Sequence, residues 1–200
     1  MKEWLKQFAS QHEAQYSEDS IGNCKLFKRS ATPDMKTTVV LQGHIDMVTE
    51  ANKDKAHNFE TDPITLLRIT HNDELWIKAD GTTLGADNAV GVSMGLSLIS
   101  NPPQNVVLPN IEVLCTIDEE VGMTGAMYLD SDFLTGKILL NLDSEEDGIF
   151  TISCAGGQDL IGTYAIERVN GQIAENDAKF AKILLTGLSG GHSGVQIHEP

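Results

Sequence analysis

The chain has 200 residues, 40 % of them apolar, which is enough to bury the core of one domain or one and a part. Its formal charge of -15 argues against nucleic acid and anionic membrane surfaces as partners, because both select basic patches. No apolar run approaches the roughly 20 residues needed to span a bilayer, and Met1 to Gln7 lack the apolar stretch of a secretory signal.

Residues 3–15 read as an amphipathic helix with Trp4, Leu5 and Phe8 on one face. Asn23–Lys28 and Thr38–Gly43 read as strands, joined by a polar loop that carries Pro33. Ile64–Thr70 and Glu74–Ala79 have the pattern of a hairpin turning at His71, Asn72 and Asp73. The loop Gly81–Gly85 leads into a helix over 88–100. There Val90, Met94 and Leu98 repeat at helical spacing, while Gly91 and Gly95 permit close approach to a sheet. Asn101, Pro102 and Pro103 end that helix. Ile111–Ile117 reads as a buried strand, Gly122–Leu134 as holding a short helix, and Lys137–Leu142 as another buried strand. Phe150–Cys154 and Leu160–Ile166 suggest further strands. The expected class is therefore α/β, a three-layer α/β/α arrangement.

Composition turns polar over 169–177. An amphipathic strand, Lys179–Thr186, then runs into the glycine-rich Gly187–Gly194. A boundary is expected near residue 175, with 1–174 forming one domain and 175–200 the first strand and loop of a second. A single strand and a loop cannot bury a core, so the chain reads as part of a longer protein. Cys24, Cys115 and Cys154 are odd in number and widely spaced, as expected of reduced, mostly buried thiols in a cytosolic protein.

Three of the apolar strands stop at acids. Thr38–Gly43 runs into His44 and Asp46. Ile111–Ile117 runs into Asp118, Glu119 and Glu120. Lys137–Leu142 runs into Asp143, followed by Ser144, Glu145, Glu146 and Asp147. In open α/β sheets ligands bind outside the carboxyl ends of the strands, so these acids converge on one crevice. Burying unpaired anions together is costly or forces protonation. No arginine or lysine occurs from Gly81 to Gly136. A divalent cation is the simplest remaining counter-charge.

His44 and Asp46 are two apart and share one face of a strand. The imidazole suits zinc, and a carboxylate behind it fixes the tautomer. A strand-end hydrogen bond without metal is the alternative. Asp87 opens a helix, where a metal-bridging carboxylate and an ordinary N-cap are both open readings. Of Glu119 and Glu120, one can bind metal while the other acts as general base on a metal-bound water. A solvated acidic turn is the alternative. Calcium is disfavoured, because EF-hand spacing is absent and His44 favours zinc, cobalt or manganese. His192, in Gly190-Gly191-His192-Ser193-Gly194, could donate to a developing oxyanion or be a surface loop residue. His12, His57, His71 and His198 are expected to be surface or structural.

The ordered segments Gln42–Val48, Gly81–Asn88, Asp118–Ala126, Leu140–Glu146, Cys154–Gly157 and Gly190–Gly194 resemble the M20 family of metallopeptidases, from about Gly22 onward. The resemblance implies two divalent ions, zinc above all, with cobalt or manganese also suitable. One would be held by His44, Asp87 and Asp143, the other by Asp87 and Glu120, with a cis peptide after the bridging Asp87. Asp46 would orient His44, Glu119 would be the general base, and His192 would assist the oxyanion across a homodimer formed through the lid domain. Residues 1–174 would be the catalytic domain and 175–200 the start of that lid. The implied substrates are small unblocked dipeptides, Xaa-His among them. A tripeptidase, an N-acyl amino acid deacylase and an inactive fragment binding at most one metal are the alternatives. A further metal-binding histidine of the family falls beyond residue 200.

Overall fold

The computed structural model describes residues 1–144, 148–153, 161–163 and 165. Met1–Ile152 is one compact unit and Ser153–Pro200 a second, and every element below lies in the first. Chain order is α1 (Lys2–Gln11), β1 (Gln15–Glu18), β2 (Cys24–Lys28), β3 (Thr38–His44), β4 (Leu66–His71), β5 (Glu74–Ala79), α2 (Ala86–Ser100), β6 (Asn110–Thr116), α3 (Thr124–Met127) and β7 (Ile138–Asn141). Five strands form a mixed sheet in the order β1-β2-β6-β3-β7. The β1–β2 and β2–β6 pairs are antiparallel, whereas β3 runs parallel to both β6 and β7. The expected α/β class is the one observed.

Period-two alternation decides what each strand buries. Cys24 and Leu26 of β2, Leu41 of β3, and Ile111, Val113 and Cys115 of β6 join one core cluster. Leu5 and Ala9 of α1 and Val92, Leu96 and Ile99 of α2 complete it, so both long helices contribute to the same core. The intervening residues Val40, Glu112 and Leu114 are also buried. Glu112 meets Thr135 and Gly136, which lead into β7. Cys24 and Cys115 are free, buried cross-strand neighbours. Among the described residues no helix is long and apolar enough to cross a membrane.

Several sequence expectations are corrected. The first helix ends at Gln11 rather than 15, because Glu13 takes a positive φ of 54° and Gln15 enters β1. The buried stripe of α2 is Asn88, Gly91, Val92, Gly95, Leu96 and Ile99, whereas Val90 and Met94 are exposed. Gly91 and Gly95 define the contact line, and each apolar residue preceding them is turned about 100° away from it. A Cβ at Gly95 would lie 3.1 Å from Val113 Cγ1, so the close approach read from the glycines is present. Strand β7 is not buried: Ile138, Leu139 and Leu140 are exposed, because β7 ends the sheet among the described residues. The helix expected in 122–134 is the single turn α3. Phe150–Ser153 is not a strand. The hairpin β4–β5 turns through Asn72 and Asp73, both at positive φ, as its sequence suggested. The strands expected at Leu160–Ile166 and Lys179–Thr186, together with Cys154, His192 and His198, fall wholly or mainly outside the described residues.

Candidate metal centre

Parallel pairing of β6, β3 and β7 brings their carboxyl ends side by side. A polar side-chain ladder fixes the alignment there. Asn141 Nδ2 donates to Gln42 Oε1 at 2.6 Å, and Gln42 Nε2 donates to Thr116 Oγ1 at 3.1 Å. Backbone bonds carry the pairing onward, from Ile45 N–H to the Thr116 carbonyl and from Leu142 N–H to the Gln42 carbonyl. The three exits therefore present His44, the Asp118–Glu120 turn and Asp143 in one place. Asp87 joins them from the start of α2. The loop before it is stitched to the segment after β3, with Thr83 Oγ1 donating to the Val48 carbonyl at 2.6 Å. Gly85 takes φ +75° there, a backbone conformation that favours glycine. Asp87 and Asn88 depart from helical backbone at the start of α2, and the Asp87 carboxylate faces His44. The Asp87–Asn88 peptide is cis.

His44 is buried, with 1 % of its side chain exposed. Its Nδ1 lies 3.0 Å from the Asp46 carbonyl oxygen and 3.4 Å from Asp46 Oδ1. The nearer carbonyl accepts the Nδ1 proton, because a carbonyl cannot donate. Its Nε2 is 2.9 Å from Asp87 Oδ1, 3.6 Å from Asp143 Oδ1 and 4.0 Å from Glu119 Oε2. The Asp46 carboxylate also reaches the next strand exit, where Oδ2 accepts the Glu120 N–H at 3.1 Å. Donor atoms of His44, Asp87 and Glu120 all lie within 4.8 Å of one another. Asp143 reaches this group through His44 and Asp87.

The electrostatics ask for a cation. Burial pushes the Asp143 carboxyl up to about 6, and the neighbouring Asp87 and Glu119 add to the push against His44. Burial, Asp87 and Glu119 likewise raise the Glu120 carboxyl. For His44, burial lowers the pKa, but the Asp87 hydrogen bond and the charges of Asp143 and Asp46 outweigh it, so the net direction is upward. Both imidazole nitrogens face oxygen acceptors, an arrangement that favours the protonated ring. A metal ion at Nε2 would compete with a proton there. One imidazole and several carboxylates, with no lysine or arginine paired to them among the described residues, suit zinc, manganese or cobalt.

These shifts give a pH dependence for the metal-free chain. Asp143 holds its proton more tightly folded than unfolded, so its contribution is full below about 4 and is lost as pH rises towards about 6. The raised His44 contributes fully below its unfolded value of 6.5 and is lost as pH rises through the folded one. The metal-free chain is therefore expected to melt at a higher temperature at pH 5 than at pH 7.5. Added Zn²⁺ should stabilise it more at pH 7.5, because metal competes with those protons. Thermal melts with and without Zn²⁺ at the two pH values check this, and a metal-free chain more stable at pH 7.5 would contradict it.

The structure thus brings His44, Asp46, Asp87, Glu119, Glu120 and Asp143 together, whereas Glu145, Glu146, Asp147 and His192 lie outside the described residues. His12, His57 and His71 pack on Phe8, Phe59 and Trp76, away from this group. Sequence reasoning passed over the tie from Asp46 to the Glu120 amide, since backbone contacts leave no mark in residue type. It also passed over the buried Asn23, which accepts the Ile117 N–H and donates to the Gly125 carbonyl, anchoring the turn that carries the glutamates.

No family model matches the chain. The chain is 39 % identical, over 200 residues and 99 % of its length, to a cytosol non-specific dipeptidase of Escherichia coli (strain K12). It is similar to the crystal structure of an aminoacylhistidine dipeptidase from Vibrio alginolyticus, with a TM-score of 0.65 and 40 % identity over 74 % of the chain. The chain spans 39 % of the E. coli protein and its match covers 29 % of the Vibrio one. A tripeptidase from Staphylococcus aureus, at 23 % identity, shares the fold with a TM-score of 0.56, over 72 % of this chain and 37 % of its own.

Proposed function

We propose, from its 39 % identity to a cytosol non-specific dipeptidase and from the geometry above, that this chain carries the metal site of an M20-type peptidase that hydrolyses unblocked dipeptides, Xaa-His among them. The observation that carries this reading is the convergence of His44, Asp87 and Glu120 donor atoms, within 4.8 Å of one another, beside the Glu119 carboxylate. His44, Asp87 and Asp143 would hold one divalent ion, and Asp87 with Glu120 a second. Divalent metal bound there would supply Lewis-acid polarisation of the scissile carbonyl and lower the pKa of a bound water.

The chain's own residues do the rest. Asp46 fixes the tautomer of His44 through its carbonyl and holds the Glu120 backbone through its carboxylate. Glu119 takes a proton from the attacking water and returns it to the leaving amine. His192 is assigned to oxyanion stabilisation in a partner subunit's site. Residues from about 175 onward are assigned to a lid domain that mediates a homodimer, and 1–174 to the catalytic domain.

The test pairs elemental analysis with a substrate panel of Gly-His, tripeptides and N-acyl amino acids. Two equivalents of zinc and preferential turnover of the free dipeptide are expected. A chain that retains no divalent metal, or that cleaves N-acyl amino acids in preference, would sink this assignment.

A further inference from the structure

Asn88 has a buried side chain, 6 % exposed, set between β3 at Gly43, α2 at Gly91 and the residue that follows β7. Its Nδ2 donates to the Leu142 carbonyl oxygen at 2.9 Å. Its Oδ1 is buried with no hydrogen-bond partner among the described residues. Space is reserved for this carboxamide. A Cβ at Gly91 would lie 2.7 Å from Oδ1, and one at Gly43 would overlap the same atom. A buried acceptor without a partner is costly, and an apolar side chain of similar size would avoid that cost. An amide at this position therefore needs a reason, and the donor side supplies one.

The hydrogen bond has unusual leverage. Asn88 directly follows Asp87, and Leu142 directly precedes Asp143. One contact thus joins the backbones that carry two carboxylates, across 54 residues of sequence. Both carboxylates face His44 Nε2, at 2.9 and 3.6 Å. Asn88 sits behind them in the sheet–helix interface, where its neighbours are the two glycines.

We propose that Asn88 is a positioning residue whose carboxamide sets the separation of Asp87 and Asp143, and through it the geometry of the metal centre. This rests on the metal-site reading given under Proposed function. The ligands are held by strand and helix ends that could slide relative to one another, and the Asn88–Leu142 bond fixes the helix end against the strand exit. Outer contacts of this kind typically change metal affinity by about 10–100-fold when removed.

Cobalt titrated into the metal-free 200-residue chain gives a visible absorption band that reports affinity and ligand geometry without any turnover. Asn88→Ala is expected to bind the first Co²⁺ about 10–100-fold more weakly, with a shifted band, while far-UV circular dichroism shows a folded chain. Asn88→Ser, which leaves a smaller void and a hydroxyl too short to reach Leu142, should behave alike and stands in if the alanine variant does not fold. His44→Ala, which removes a ligand outright, sets the scale of complete loss. A folded Asn88 variant with wild-type cobalt affinity and an unchanged band would overturn the role of Asn88 and leave the metal site standing. A wild-type chain that takes up no cobalt would overturn both.

Discussion

On the proposed dipeptidase reading, Glu119→Gln is expected to lower kcat for dipeptide hydrolysis by about 10²–10⁴-fold while the metal content stays at the wild-type level. The two neighbouring glutamates are separated by their surroundings. Asp118 turns the chain through a positive φ of 54°, and Met123 closes the turn at 56°. Within it the Glu119 carbonyl accepts the N–H groups of Gly122 and Met123, and the Glu120 N–H is tied to Asp46. The backbone is thereby fixed, and the side chains take different places. Glu120 belongs to the compact donor group with His44 and Asp87, whereas Glu119 stands 4.0 Å from His44 Nε2 with a third of its surface open to solvent. Glu120→Gln should accordingly lose metal as well as activity. Measuring kcat and bound zinc in both variants separates the two roles, and a Glu119→Gln enzyme with near-normal turnover would remove that residue from proton transfer.

The largest effect on stability is expected at Glu112, which is not part of the donor group at the candidate metal centre. Its side chain is 1 % exposed on the central strand β6. The carboxylate accepts the Thr135 and Gly136 N–H groups and the Thr135 hydroxyl at 2.9–3.2 Å, with Lys25 Nζ at 3.5 Å. Lys25 in turn donates to the Phe133 carbonyl and lies over the Phe133 ring. Glu112→Ala strips four donors of their acceptor at once and leaves Lys25 largely buried without a counter-ion. Breaking a buried charge pair from one side costs about 3–5 kcal/mol, which lowers the melting temperature of a chain this long by about 10 °C. Because residues 133–136 lead into β7, the same variant should also weaken metal uptake at Asp143. A melting temperature within 2 °C of wild type, in the terms of that same relation, would show that the carboxylate contributes little.

Much of this was legible in the residues. Apolar runs ending in acids located β3, β6 and β7 and the side of the sheet where ligands gather, because a parallel sheet leaves only its strand ends free for polar work. Glycine spacing showed that α2 lies close to the sheet, yet the apolar spacing of Val90 and Met94 pointed to the wrong face. Periodicity locates a stripe but does not say whether it meets the sheet. Strand β7 has the composition of a buried strand and is exposed among the described residues, since composition does not state what lies alongside. Glu112 carried no signal at all. A lone acid in an apolar strand looks like an interruption until the donors from a distant loop are seen around it. Asn88 was visible only as part of a motif, and its burial and its bond to Leu142 depend on tertiary approach.

The order of strands has a consequence for synthesis. Strand β7 joins the sheet on the outer side of β3, and Asn141 pairs with Gln42 across 99 residues of chain. A ribosome adding roughly 5–20 residues per second needs on the order of 5–20 s to make that stretch. Throughout this interval the imidazole of His44 and the first acids exist without the aspartate that follows β7. Such long-range closure is slow to begin with, so the chelating pocket cannot close until β7 and Asp143 have been made.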